Sequence, residues 1–117
     1  MTPDEFFSNK TLAKQLFSAV RREVEAIGEA SIRTTKSQIA FRTQRTFASV
    51  WMPGQYLRGK TAPLVLTIFL PSRDASPRWK EIVEPAPGRF THHLELHDPA
   101  DIDDEVRGWL WKAWKAA

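Results

Sequence analysis

The sequence has no cysteine and, over a long central stretch, no acidic residue. The absence of cysteine excludes disulfides, cysteine metal ligands and thiol nucleophiles. Between Ala30 and Arg73 there is neither Asp nor Glu, whereas seven Lys and Arg residues fall in this stretch. The rest of the chain has ten cations and fourteen anions, so the net charge of +3 hides a basic middle and acidic ends. Such a one-signed stretch attracts opposite charge and indicates an anionic partner.

Long apolar runs are also missing from the 117 residues. The longest, residues 63–70 with Thr67 inside it, is too short to cross a bilayer. The first ten residues, MTPDEFFSNK, are acidic and lack the apolar region of a signal peptide. We therefore expect one soluble, cytoplasmic domain over residues 1–117, with no membrane partner.

The N-terminal part has helical spacing. Thr2, Pro3 and Glu5 fit a capping box with proline at the first helical position. Leu, Val and Ile then recur at helical spacing over residues 12–27. Gly28 stands where a left-handed residue commonly ends a helix. The spacing therefore predicts two helices before the basic segment.

The central part has the alternation typical of strands. Five strands are predicted, at residues 31–35, 38–42, 47–52, 64–70 and 90–96. Residues 72–88 are predicted to be a long connection with a short helical turn at 79–83. Asp98 and Pro99 are the predicted start of a C-terminal amphipathic helix. Helices, then strands, then a helix indicate an α+β fold with a four- or five-stranded, mainly antiparallel sheet and both terminal helices on one face.

Three stretches together resemble a small uncharacterised bacterial domain family, a domain of unknown function: TTKSQIAFRTQRTFASVW, VLTIFLPSRDASPRWKEIVEP and FTHHLELHDPADIDDEVRGWL. The resemblance runs from about residue 12 to residue 116. Relatives of this family sometimes carry the label "predicted transport protein", and some form the C-terminal part of longer proteins. The resemblance implies an α+β fold and no particular catalytic residues, and no apolar segment here supports transport across a membrane.

The basic segment supplies the main candidate site, an anion-binding surface. Its proposed residues lie on or beside the predicted strands and the loop after them: Lys36, Arg42, Arg45 and Arg58. Phe41 and Phe47 flank the cations, and cations beside exposed aromatics suit single-stranded nucleic acid. The alternative is that these aromatics belong to the core and that the cations protect edge strands from aggregation.

Histidines and acids near the C-terminus offer lesser candidates. His93 and Glu95 share one face of the last strand and could begin a metal site, which would need a third ligand from elsewhere. The alternative is a polar strand edge with His92 partly packed. The five acids at 98–105 suit a helix N-terminus better than a magnesium site. An enzyme using His92 or His93 with Glu95 is the last-ranked hypothesis, and no cofactor is expected.

Two tryptophans of the last helix are candidates for a protein partner. Trp111 projects away from the predicted core stripe and Trp114 lies at its boundary. Tryptophan is enriched at interface hot spots. The alternative is that Trp111 packs against the N-terminal helix or against the connection at residues 72–88, which we call the Trp79 loop. Neither a P-loop nor a nucleophile elbow is present. The proposed binding surface is the sheet face away from the helices, or the cleft beside the Trp79 loop.

Overall fold

The computed structural model describes residues 1–117, which form three α-helices and six β-strands. The helices are α1 (Pro3–Phe7), α2 (Thr11–Ile27) and α3 (Asp104–Ala116). The strands are β1 (Ser31–Thr34), β2 (Ile39–Arg42), β3 (Thr46–Trp51), β4 (Leu64–Leu70), β5 (Glu81–Ala86) and β6 (Arg89–Leu96). All neighbouring strands are antiparallel, in the order β1-β2-β3-β4-β6-β5. The predicted α+β class with an antiparallel sheet is confirmed.

The predicted strand number of four or five is wrong, because the sheet has six strands. The additional strand is β5, in the stretch where a helical turn was expected at residues 79–83. β5 is an edge strand, and nearly all of its residues are exposed. An edge position tolerates Pro85 because a proline there removes no ladder hydrogen bond. Such a strand needs no alternating apolar pattern, which is why the sequence does not reveal it.

The core lies between one face of the sheet and helices α2 and α3. Leu64, Leu66 and Ile68 of β4 belong to a single cluster of 26 buried residues that also includes residues of all three helices. Val65 is buried but lies outside this cluster. Because alternate residues of a strand point to opposite faces, the helices cover one face only. We call this the covered face and its opposite the open face.

Of the predicted helix ends, the start of α1 agrees with the structure and the end of α2 differs from it. The capping box of α1 is confirmed, with Thr2 and Glu5 each accepting a backbone hydrogen bond from the other. Gly28, however, is extended (φ 168°) rather than left-handed. A side chain is excluded there by packing, since a Cβ on Gly28 would lie 2.5 Å from Cζ2 of Trp114.

The C-terminal helix begins later than predicted. Asp98 caps a single 3₁₀ turn, Pro99–Asp101, and Asp103 then caps α3 through the backbone N–H of Val106. Two successive caps give the chain a bend before the helix. This bend brings Asp103 within reach of the loop between β4 and β5.

Candidate functional site

A row of directly opposed residues crosses the open face from one sheet edge to the other. The strand registers place them in the order Arg33, Ala40, Ser49, Thr67, His93 and Glu81, one from each strand. Ser49 and Thr67 are only 2% and 3% exposed, although no helix covers this face. Larger side chains of the face itself therefore shield the centre of the row.

Trp51, Thr67 and His93 form a hydrogen-bond chain at the centre of the open face. The indole Nε1–H of Trp51 donates to Oγ1 of Thr67 at 2.9 Å, and Oγ1 lies 2.8 Å from Nδ1 of His93. Because the Thr67 oxygen already accepts from Trp51, its own hydrogen is free to be donated to His93. In the neutral tautomer of His93 that carries its proton on Nε2, Nδ1 accepts this hydrogen.

The environment of His93 favours its neutral form. Burial lowers the pKa of His93 below its ordinary value of 6.5, the charge of Glu81 opposes this shift and His92 adds to it. The ring of His93 also meets the indole of Trp51 edge-on, with centroids 5.9 Å apart and planes at 85°. The open face therefore presents here an uncharged imidazole packed against an indole rather than a solvated charge.

The open face presents further aromatic rings. Tyr56, in the loop between β3 and β4, lies 6.2 Å from Trp51 and is largely exposed. Its hydroxyl donates to the backbone carbonyl of Ser37 at 3.4 Å and so ties this loop to the β1–β2 turn. Phe69 lies farther along β4, with the guanidinium of Arg89 4.8 Å from its ring centroid. The aromatic surface therefore follows the centre of the sheet.

The flanking aromatics expected from the sequence do not take part. Phe41 and Phe47 are 0% and 1% exposed and pack with Phe17 in the core. Phe41 points to the covered face, opposite to its strand neighbours Ala40 and Arg42. The alternative interpretation, that these two residues are core, is the one the structure supports.

The four proposed anion-binding cations lie at two ends of the open face rather than at one point. Lys36 is in the β1–β2 turn and Arg58 in the β3–β4 loop, on either side of the Tyr56–Ser37 contact. Arg42 and Arg45 lie at the opposite end, beside the β2–β3 turn. All four are exposed and none takes part in an ion pair.

His92 is on the covered face and is fully buried, away from Glu95. Its Nε2 accepts from the backbone N–H of Asp74 at 3.0 Å, and its Nδ1 lies 3.1 Å from the carbonyl of Phe90. The Trp79 ring is 4.7 Å from that of His92 and 4.1 Å from that of Trp109. The Trp79 loop thus packs onto the core through these rings.

The C-terminal acids are engaged in capping and ion pairing. Asp98 and Asp101 bond backbone N–H groups of the 3₁₀ turn and the residues before it. Asp103 and Glu105 pair with Arg78 at 3.0 and 2.9 Å, and Arg78 also donates to the carbonyl of Asp101 at 2.9 Å. No group of three or more His, Asp or Glu residues is arranged to hold a metal ion.

Almost the whole chain matches one protein family. Residues 3–117 match the family model described as Domain of unknown function (DUF5655). The chain belongs to this family. The resemblance to an uncharacterised domain is thereby confirmed. No curated protein and no solved structure matches the chain.

None of the helices is both long enough and apolar enough to cross a membrane. The longest, α2, spans 17 residues and carries charges along its exposed side.

The two candidate partner-binding tryptophans differ in their surroundings. Trp111 is 47% exposed, with the ammonium of Lys115 4.5 Å from its ring centroid. Trp114 packs on Gly28, and its Nε1–H donates to the carbonyl of Glu29 at 2.9 Å. Trp114 therefore holds the end of α2 against α3, and Trp111 alone presents a free ring.

Sequence reasoning missed the residues at the centre of the open face: Ser49, Trp51, Tyr56, Thr67 and Phe69. One signal pointed to them, because Thr67 is the only polar residue within the apolar strand β4. A hydroxyl between Leu66 and Ile68 must point away from the core side chains beside it. Its partner on β3 depends on strand register, which the sequence pattern does not fix.

Proposed function

We propose that the open face is a non-catalytic binding surface for an anionic chain, namely single-stranded nucleic acid. The observation that carries the proposal is the pairing of Trp51 and Tyr56 on an uncovered sheet face with cations that have no carboxylate partner. Aromatic rings stack on bases of any sequence, while Lys and Arg neutralise the backbone phosphates. The proposal extends the expected anion-binding role from a hairpin to the half of the open face over β1–β3.

The positions of the cations favour a ligand that lies along the strands. Lys36 and Arg58 mark one end of β3, and Arg42 and Arg45 mark the other. β3 has six residues, so the two ends are about 20 Å apart. A small anion would contact only one end, whereas an extended polyanion would contact both.

Acidic residues restrict the proposed path of the nucleic-acid backbone to one half of the open face. Glu81 and Glu95 stand on β5 and β6, whereas Arg33 and Arg42 stand on β1 and β2. Phosphates would be repelled by the carboxylates and attracted by the guanidinium groups. The backbone of the ligand is therefore expected over β1–β3, with bases directed toward Trp51 and His93.

The Thr67 hydroxyl and the His93 imidazole at the centre of the open face are better suited to ligand binding than to catalysis. Thr67 is buried beneath Trp51 and accepts its indole hydrogen, which lowers its value as a nucleophile. His93 has Nδ1 occupied by Thr67, and only its Nε2 side is available to a ligand. A hydrogen bond from Nε2–H to a base edge would fit this geometry.

The direct test is fluorescence anisotropy with labelled oligonucleotides of about 15 nucleotides, single- and double-stranded, over a series of salt concentrations. We expect single strands to bind, with log affinity falling linearly with log salt. Trp51→Leu should weaken binding by about 1–3 kcal/mol through lost stacking. Arg42→Gln should reduce the salt slope by about one.

Arg22→Gln is the matched control, because Arg22 is an exposed cation on α2, on the other side of the molecule. It should leave the affinity and the salt slope unchanged. Absence of binding to any oligonucleotide at low salt would reject the proposal. An equal loss with Arg22→Gln and Arg42→Gln would show attraction by net charge without a defined surface.

A second candidate function is contact with a protein partner through Trp111. The supporting observation is the exposure of this large ring, 47%, on a helix whose other tryptophans are packed. Sedimentation velocity over a range of concentrations tests for self-association, and pull-down with Trp111→Ala as the comparison tests for another partner. A Trp111→Ala variant with the same sedimentation and the same partners as the parent would reject this function.

A further inference from the structure

We infer that a second site, at the end of the sheet where the β2–β3 and β5–β6 turns meet the last turns of α3, binds a small organic anion with a flat apolar body. The cavity there has a volume of about 310 Å³, and its lining residues include Arg45, Arg89, Ala113 and Ala116. This volume is at the lower end of the range for small-molecule sites. The inference does not depend on nucleic-acid binding.

Seven of the 13 residues that line this cavity are hydrophobic. They include Phe69 and Leu70 of β4 and two alanines of α3, Ala113 and Ala116. Alanine side chains at these positions leave room that larger side chains would fill. A single six-membered ring is an apolar body small enough for a cavity of this volume.

Two guanidinium groups give the cavity its preference for an anion. Neither Arg45 nor Arg89 takes part in an ion pair. The Arg89 guanidinium lies 4.8 Å from the Phe69 ring centroid, and stacking on a ring leaves the in-plane N–H donors of an arginine free. Glu84, the nearby acid of this hairpin, accepts instead from the backbone N–H of Gly88 at 3.1 Å. A ligand carboxylate would meet donors that no carboxylate of the chain occupies.

The ligand class that follows is an aromatic monocarboxylate. Its ring would contact the apolar residues that line the cavity, and its carboxylate would accept hydrogen bonds from the two arginines. The probe for the test is benzoate, followed by NMR titration of the ¹⁵N-labelled full chain. We expect saturable shifts at Gly88, Arg89 and Ala116, with a dissociation constant of about 1 mM or lower.

Two further probes test separately how the carboxylate and the ring of benzoate contribute to binding. Acetate has the carboxylate without the ring, and benzyl alcohol has the ring without the charge. Both should bind at least about tenfold more weakly than benzoate, a difference of about 1.4 kcal/mol. Equal binding of acetate and benzoate, or no saturable shift with benzoate, would overturn the inference.

Variants separate this site from the proposed nucleic-acid surface. Arg89→Gln and Arg45→Gln should each weaken benzoate about tenfold, a difference of about 1.4 kcal/mol. Ala116→Leu should reduce binding by filling the cavity while both arginines stay, and the exposed position of Ala116 makes the change tolerable to the fold. Trp51→Leu, which should weaken oligonucleotide binding, should leave benzoate binding unchanged. Benzoate binding that survives Ala116→Leu and Arg89→Gln would place the probe elsewhere and reject the site.

Discussion

The backbone N–H of Asp74 donates a hydrogen bond to Nε2 of His92, 3.0 Å away, and joins the loop after β4 to strand β6. An N–H donor at Nε2 requires that nitrogen to be unprotonated. With Nδ1 facing the carbonyl of Phe90 at 3.1 Å, both ring nitrogens have partners that suit a neutral imidazole.

We predict from this contact that acid weakens the fold near neutral pH. Burial lowers the pKa of His92 from its ordinary 6.5; the Phe90 carbonyl and the Asp74 charge oppose the shift, and Arg73 adds to it. The unfolded chain, with a histidine pKa near 6.5, therefore takes up the proton first as the pH falls. The free energy of unfolding should be highest above about pH 6.5 and should decline as the pH falls below that value.

Urea unfolding at about pH 7.5 and about pH 5.5 measures this effect. His92→Gln keeps an acceptor near Nε2 without titrating, and should reduce the difference between the two conditions. His93 contributes in the same direction because burial also lowers its pKa, so His93→Gln is measured in parallel. A parent protein equally stable at both pH values would contradict the role assigned to His92.

We predict opposite effects of alanine at two glycines. A Cβ at Gly28 would lie 2.5 Å from the Trp114 indole, so Gly28→Ala should lower the free energy of unfolding by about 1–3 kcal/mol. A Cβ at Gly108, within α3, would have no atom within 4 Å. Gly108→Ala should therefore raise the free energy of unfolding by about 0.5–1 kcal/mol.

Thermal unfolding followed by circular dichroism checks both changes. Trp114→Leu provides the background in which Gly28→Ala should become less costly, since the ring that it meets is gone. Equal destabilisation by Gly28→Ala in both backgrounds would mean that the backbone, and not the indole, requires glycine at this position.

We predict that Arg78 cannot be replaced by lysine without loss. Its guanidinium contacts Asp103, Glu105 and the carbonyl of Asp101 at once, and its Cζ lies 5.6 Å from the Trp109 ring centroid. An ammonium has no planar fork to satisfy these partners together. Arg78→Lys should lower the free energy of unfolding by about 1–2 kcal/mol.

The matched comparison is Arg21→Gln, which removes the exposed pair of Arg21 with Glu25 on α2. Surface pairs four residues apart in a helix contribute only about 0.3–0.5 kcal/mol. Chemical unfolding of both variants measures how much each substitution lowers the free energy of unfolding. If Arg78→Lys proves no more costly than Arg21→Gln, then the loop after β4 is held by Trp79 and the Asp74–His92 hydrogen bond, and the Arg78 ion pairs contribute little.

The helices and the central strands could be predicted because each buries a regular apolar pattern. Helix α2 has buried residues at helical spacing, and β4 is the most continuously apolar strand of the chain. β5 was not predicted because its residues are mostly exposed, with only Ile82 packed against the core beside the pairing with β6. The spacing of apolar residues in a sequence reflects which side chains are buried. An edge strand with few buried side chains therefore shows little apolar periodicity.

The candidate site could be predicted only in part. The uncovered sheet face and the unpaired cations follow from composition and strand order. Which residues oppose one another across the face depends on register, including the bulge between Phe41 and Arg42. The Trp51–Thr67–His93 chain joins residues 16 and 26 positions apart, so only the folded chain brings them together.

The position of Trp51 allows its intrinsic fluorescence to report on the open face. Trp79 and Trp109 are enclosed in the core, Trp114 is packed on α2, and Trp111 projects from α3. Trp51 alone among the five contacts His93 on the open face. Its emission should therefore respond to protonation of the neighbouring imidazole and to any flat molecule stacking beside it, so occupancy of this face can be followed in unlabelled protein.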